Sequence, residues 1–138
     1  MWVMKLQLSR IQQRQLLQWA EQAGKNECCG LVLGHGGIVE RVELTANVAN
    51  DPSCEFEIDP SALIVAQKRA RHGGPAILGY FHSHPNGITE PSAEDARLAT
   101  ADGRNCLIIA DGRIMVWRPV SAGEGEPVSF DLEGFFEG

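Results

Sequence analysis

Residues 76–81, Ala-Ile-Leu-Gly-Tyr-Phe, form an unbroken apolar run that starts directly after Gly73-Gly74-Pro75. A run this short, bounded by turn residues, reads as a central strand. A central strand needs partners on both edges, and the rest of the chain supplies them. Residues 4–8 alternate apolar and polar side chains, as an edge-like strand does. Ser9 can cap the helix that follows, in which Leu16, Trp19, Ala20 and Ala23 recur at helical spacing until Gly24 stops it. Residues 31–33 are a short apolar strand, Gly34-His35-Gly36-Gly37 a turn, and residues 38–44 the returning strand. Residues 46–55, with Asn47, Asn50, Asp51, Pro52 and Ser53, read as loop.

Asp59-Pro60 is a helix start, with Asp as cap and Pro at the first helical position; that helix runs to about Arg71. A third helix is predicted over residues 92–101, closed by Asp102-Gly103. Residues 105–110, Asp111-Gly112 and residues 113–118 read as a hairpin with a two-residue turn, and a last strand as residues 128–132. The order is strand, helix, two strands, helix, strand, helix, three strands. The hairpins imply a mixed β-sheet flanked by helices, an α/β or α+β class, in one domain spanning residues 1–138.

Charge narrows the function. The net charge of −6 sets the chain against phosphate backbones and anionic membrane surfaces, so neither nucleic acid nor membrane is an expected partner. No leader pattern or bilayer-length apolar run is visible, and the expected location is the cytoplasm. Cys28 and Cys29 are adjacent, Cys54 and Cys106 stand alone, and reduced, partly buried thiols are expected, with a Cys54–Cys106 pair as the alternative.

The informative segment is Phe81-His82-Ser83-His84-Pro85, followed by Ser92-Ala93-Glu94-Asp95. If His82 and His84 extend the central strand, the period of two puts both imidazoles on one face. Asp95, one turn into the next helix, can point back at them. Two imidazole nitrogens and a carboxylate suit Zn²⁺ and leave a fourth position for water, the mark of a catalytic site. Each half has a plainer explanation when taken alone. A His-x-His pair is a weak signal, and Ser92-x-x-Asp95 is a helix-capping pattern. Cys28 and Cys29 are expected to be buried small side chains, and His35 and His72 to be solvated.

Taken together, His82-x-His84-Pro85, six residues, then Ser92-x-x-Asp95 resembles the full JAMM motif of the MPN+ domain metalloproteases. Glu27-Cys28-Cys29-Gly30-Leu31-Val32-Leu33-Gly34 resembles the family's Glu ahead of a Gly-Leu strand. Asn47-Val48-Ala49 and Phe56-Glu57-Ile58-Asp59-Pro60 resemble its connection into the second helix. The resemblance covers roughly residues 5–118 and implies the MPN/JAMM (cytidine deaminase-like) architecture. It implies zinc held by His82, His84 and Asp95, Glu27 as general base, and Ser92 as a donor to the oxyanion. Spacing alone does not select Glu27 among the acidic residues.

The same resemblance, to the stand-alone bacterial type, implies hydrolysis of a peptide or isopeptide bond after the C-terminal diglycine of a ubiquitin-like sulfur-carrier protein. An extended tail along a sheet edge, its diglycine in a passage too narrow for side chains, would suit that substrate. Three other readings stand beside it. A nucleobase deaminase would need His-x-Glu and Pro-Cys-x-x-Cys, which are absent from the sequence. A non-catalytic MPN scaffold for a ubiquitin-like partner is at odds with an intact ligand set, and a cell-wall role would go with a second domain.

Overall fold

The computed structural model describes residues 6–137. Helix α1 (Arg10–Ala23) is followed by β1 (Cys29–His35), β2 (Ile38–Thr45), α2 (Pro60–Arg71) and β3 (Ala76–Ser83). Then come α3 (Ala93–Leu98), β4 (Asn105–Ala110), β5 (Arg113–Val120) and β6 (Ser129–Glu137). Among the described residues, six strands lie in the order β2-β1-β3-β4-β5-β6. The β3–β4 pair is parallel and the other four pairs are antiparallel, so the sheet is mixed, as the hairpins require.

The two faces of the sheet carry separate cores. Leu16, Val32, Phe81, Leu107, Ile109, Ile114 and Val116 pack together under α1, with Trp19 stacked on Phe81 at a ring-centroid distance of 5.8 Å. On the other face Cys29, Leu31, Leu33, Ile58 and Ile77 pack with Ala66 of α2. Successive residues of β1 and β3 alternate between these cores, which is why both strands read as continuous apolar runs. Gly30 sits opposite Phe81, where a Cβ would stand 2.0 Å from the Glu43 carbonyl oxygen and 2.5 Å from the Phe81 ring. Only glycine allows β1 to lie that close to both neighbours.

Local signals set the boundaries. Ser9 and Gln12 form a reciprocal capping box at α1, and Gly24 ends it with φ 61°. Asp59 caps α2 and Pro60 opens it. Asp111 and Gly112, at φ 52° and 69°, make the tight β4–β5 turn. Gly36 and Gly37, at φ 57° and 83°, do the same between β1 and β2.

Several expectations need correction. Met4 and Lys5 lie outside the described residues; among the described ones, Gln7 makes a parallel bridge to Ile38, and Leu6 and Leu8 are buried. Strand β1 runs on through Gly34 and His35, which pair with Val39 and Ile38, so the turn shrinks to two glycines. Helix α3 stops at Leu98 because Ala99 turns extended, with φ −75° and ψ 153°. Strand β6 runs to Glu137, past the expected end at Leu132. A register shift opposite Val116/Trp117 skips Glu133, so the alternation that the sequence pattern tracks is interrupted there. All four cysteines are free, with Cys28 and Cys29 buried. His72 is exposed, whereas exposed His35 pairs with Glu40. Among the described residues no helix is long and apolar enough to cross a membrane.

Leu16 is fully buried at the centre of the α1 core. Leu16→Ala should destabilise the protein by about 2–5 kcal/mol, read from denaturant unfolding midpoints; a loss under about 1 kcal/mol would mean that α1 is not held by this contact.

Candidate metal centre

Both histidines stand where β3 leaves the sheet. His82 is in register with Cys29 on one side and Ile108 on the other. His84 lies one residue past the strand, but its N–H still donates to the Ile109 carbonyl at 3.0 Å. The period of two is thereby kept, and the two Nε2 atoms stand 3.1 Å apart. His82 is fully buried, its ring stacked on Phe56 at 4.2 Å, and burial lowers its pKa. His84 Nδ1 is 2.7 Å from the Ile88 carbonyl, an oxygen that can only accept, so Nδ1 carries the proton. In the neutral ring this leaves the Nε2 lone pair facing the centre. Burial would lower the His84 pKa, but hydrogen bonds to Asp95 and Ile88 outweigh it and raise it.

The chain returns through a short loop that is itself fixed. Asn86 accepts the Ile88 N–H through its side chain at 3.0 Å, and Trp117 Nε1 donates to the Thr89 carbonyl at 3.1 Å, tying the loop to β5. Ser92 then caps α3: Asp95 N–H donates to Ser92 Oγ at 3.0 Å, and Ser92 N–H donates to Asp95 Oδ2 at 2.8 Å. That same Oδ2 is 3.2 Å from His82 Nε2 and 3.0 Å from His84 Nε2. Capping and site formation thus use one carboxylate. Burial would raise the Asp95 pKa, but its bonds to both histidines more than offset that and hold it well below the usual carboxylate range.

Glu27 enters from the segment ahead of β1. Its N–H donates to the Pro52 carbonyl at 2.7 Å, and its own carbonyl accepts from Asn47 Nδ2 at 2.9 Å. One of its carboxylate oxygens and a ring nitrogen from each histidine lie within 4.8 Å of one another. The side chain is buried, with Oε1 lacking a hydrogen-bond partner. Burial is the main cause that raises its pKa to about 7; His84 pulls it down, while Asp95 and Glu55 add to the rise.

His82 Nε2, His84 Nε2 and Asp95 Oδ2 therefore stand 3.0–3.2 Å apart in a buried place, and each can offer a lone pair to an ion once the two rings carry no proton on Nε2. Bonds of about 2.0–2.2 Å in a tetrahedral zinc site put ligand atoms roughly 3.3–3.6 Å apart, so this donor set fits a metal ion with an outward adjustment of a few tenths of an ångström. The Glu27 oxygen is the more distant carboxylate, suited to a group beside the ion. A cavity of about 540 Å³, lined by Phe56, Tyr80, His82, Asp95, Leu98 and Cys106 among others, opens next to the cluster.

The structure brings Glu27, His82, His84 and Asp95 together, and puts exposed Ser92 at the mouth of α3. Sequence reasoning missed the residues that hold them: Phe56 behind His82, the Ile88 carbonyl behind His84, and Trp117 behind the loop. A backbone carbonyl leaves no signal in sequence. Trp117, by contrast, falls in the alternating β5 segment, where a large ring with a donor is a recognisable anchor.

The sequence profile of the prokaryotic homologs of the JAB domain matches residues 9–122. A desampylase of Haloferax volcanii is 32% identical over 91 residues, covering 64% of this chain and 66% of the relative. A probable TtuB-protein conjugate cleaving protease of Thermus thermophilus is 39% identical over 84 residues, covering 54% and 57%. The chain thus spans just under two thirds of these curated relatives, or less. The solution structure of a protein from Desulfitobacterium hafniense superposes with a TM-score of 0.68 at 33% identity, covering 89% of this chain and 87% of that one. A protein from Salinibacter ruber, at 23% identity and a TM-score of 0.61, shares the fold. With most of its length matched by that profile, the chain belongs to the prokaryotic JAB domain family.

Proposed function

We propose that the protein is a zinc-dependent JAMM-type peptidase or isopeptidase, one domain over residues 1–138. It hydrolyses the bond after the C-terminal diglycine of a ubiquitin-like sulfur-carrier protein. The observation that carries this reading is the convergence of His82 Nε2, His84 Nε2 and Asp95 Oδ2 within 3.2 Å, with the Glu27 carboxylate buried beside them. The substrate class draws on the relatives, one named a desampylase and one a protein-conjugate cleaving protease. Four free cysteines suit a reducing compartment, the cytoplasm.

His82, His84 and Asp95 would hold the zinc, which supplies Lewis acidity and lowers the pKa of water from about 15.7 to about 7. Glu27 takes the proton from the attacking water and passes it to the leaving amine. Burial raises the Glu27 carboxyl to about 7 when no ion is present; the positive charge of the ion beside it would draw that value down, toward the anionic form a base needs. The Ser92 oxygen accepts the Asp95 N–H, and its own O–H is left to donate to the carbonyl oxygen as negative charge builds there. Proton transfer thus lies with Glu27 and charge stabilisation with Ser92.

The direct test incubates tail-extended and lysine-conjugated ubiquitin-like carriers with zinc-loaded protein and reads the products by mass spectrometry. Cleavage after the diglycine is expected, and intact substrates would sink the substrate class. His84→Ala should lose both zinc and activity; full zinc content in that variant would remove His84 from the ligand set. Glu27→Gln should keep its zinc while the rate falls roughly 10²–10⁴-fold, and near-normal turnover would exclude Glu27 as the base. Adding zinc to metal-free protein should raise the melting temperature and EDTA should reverse it, since an ion that binds the folded state alone stabilises it. An unchanged melting curve would contradict a metal site.

A further inference from the structure

We propose that Ser83, the residue between the two histidines, is a positioning residue for Glu27. The inference rests on the reading of Glu27 as the base. Ser83 is buried at 3% exposure and belongs to none of the groups that face the ion. Its N–H donates to the Cys28 carbonyl at 3.0 Å, as an antiparallel ladder requires. The return bond is different: Cys28 N–H donates at 2.8 Å to the Ser83 hydroxyl oxygen. In an ordinary hydrogen-bonded pair that N–H would go to a backbone carbonyl.

The exchange happens at the one place where β1 must leave β3. The β1–β3 pairing begins at Cys29, opposite His82. One residue earlier the ladder is held by a side chain, and one residue before that Glu27 N–H has turned to Pro52. The hydroxyl therefore anchors the peptide that follows Glu27 while letting the chain peel away from the sheet, which brings the Glu27 carboxylate to the histidines. Because Ser83 sits between His82 and His84 in the same strand end, base and imidazoles are registered to one short piece of backbone. Without the hydroxyl, the Cys28 N–H is buried without an acceptor and the Glu27 peptide loses that anchor.

The test compares Ser83→Thr with Ser83→Val in the zinc-loaded full chain. The two replacements have nearly the same shape and differ in the hydroxyl. Ser83 borders a cavity of about 530 Å³ between α1 and the strand end, which gives the added methyl room. Ser83→Val should keep full zinc content and a KM within about twofold of the parent, with kcat down roughly 10–100-fold, the scale of a small misplacement. Its Cys28 amide should exchange hydrogen faster, a readout independent of catalysis. Ser83→Thr should restore both the amide protection and most of kcat. In a Glu27→Gln background, Ser83→Val should add less than about twofold, because positioning of an absent base has nothing left to lose. Equal kcat for the Thr and Val variants, loss of zinc in the Val variant alone, or full additivity with Glu27→Gln would each overturn the proposal. If Ser83→Val does not fold, Ser83→Ala, which adds no volume, takes its place in the same comparisons. Near-normal turnover by Glu27→Gln would instead sink the reading of the base, whereas a dead Glu27→Gln with an indifferent Ser83→Val would sink this inference alone.

Discussion

Strand β3 is hydrogen-bonded on both edges, antiparallel to β1 and parallel to β4, and the placement of every site residue follows from that double pairing. Antiparallel pairing with β1 brings the Glu27 segment to the same end of β3 that carries the histidines. Parallel pairing with β4 forces the chain to cross over, and the crossover is the loop and α3 that deliver Asp95. A hairpin at that position would have had no length in which to bring Asp95 back to the histidines. The ordinary topology of a mixed sheet thus gathers groups from three separate segments at one strand end.

Bringing those groups together opposes stability. Two imidazoles, a carboxylate and a second carboxylate occupy a buried volume in which unpaired lone pairs and like charges are costly. The fold offsets that cost with neutral contacts around the rim. Phe56 stacks on His82, the Ile88 carbonyl accepts a hydrogen bond from His84 Nδ1–H, and Trp117 holds the loop between His84 and Asp95. Residual frustration stays visible in Glu27, whose carboxyl is pushed up to about 7 chiefly by burial, and in Oε1, which finds no protein partner. A site tuned for stability alone would replace these groups with apolar ones.

Much of this was legible in the sequence, for reasons that differ element by element. Ser9, Gly24, Asp59-Pro60 and Asp111-Gly112 are local signals whose physics is complete within a few residues, and the elements they bound begin and end there. The strand end at His82 and His84 was legible because side-chain alternation needs only the strand to be recognised. Beyond Leu132 strand β6 carries no clear signal: the register shift opposite Val116/Trp117 breaks the period of two, and no local residue announces it. Helix α3 was overestimated because nothing local marks the extended turn at Ala99. The partners of Glu27 were out of reach for a third reason. Its bonds run to a carbonyl of Pro52 and a side chain of Asn47, contacts that exist only once a loop has been folded over the sheet.

The capping box of α3 has a further consequence. A helix of six residues cannot persist by itself, since the cost of starting it is hardly repaid by so few internal bonds. Its first turn is closed by the carboxylate that also reaches the two histidines, so α3 is wound from the site outward. Winding of this segment and assembly of the histidine–carboxylate cluster are then one cooperative event, and by reciprocity whatever strengthens one strengthens the other by the same free energy. The shortest helix among the described residues is, in this sense, folded by the cluster it completes.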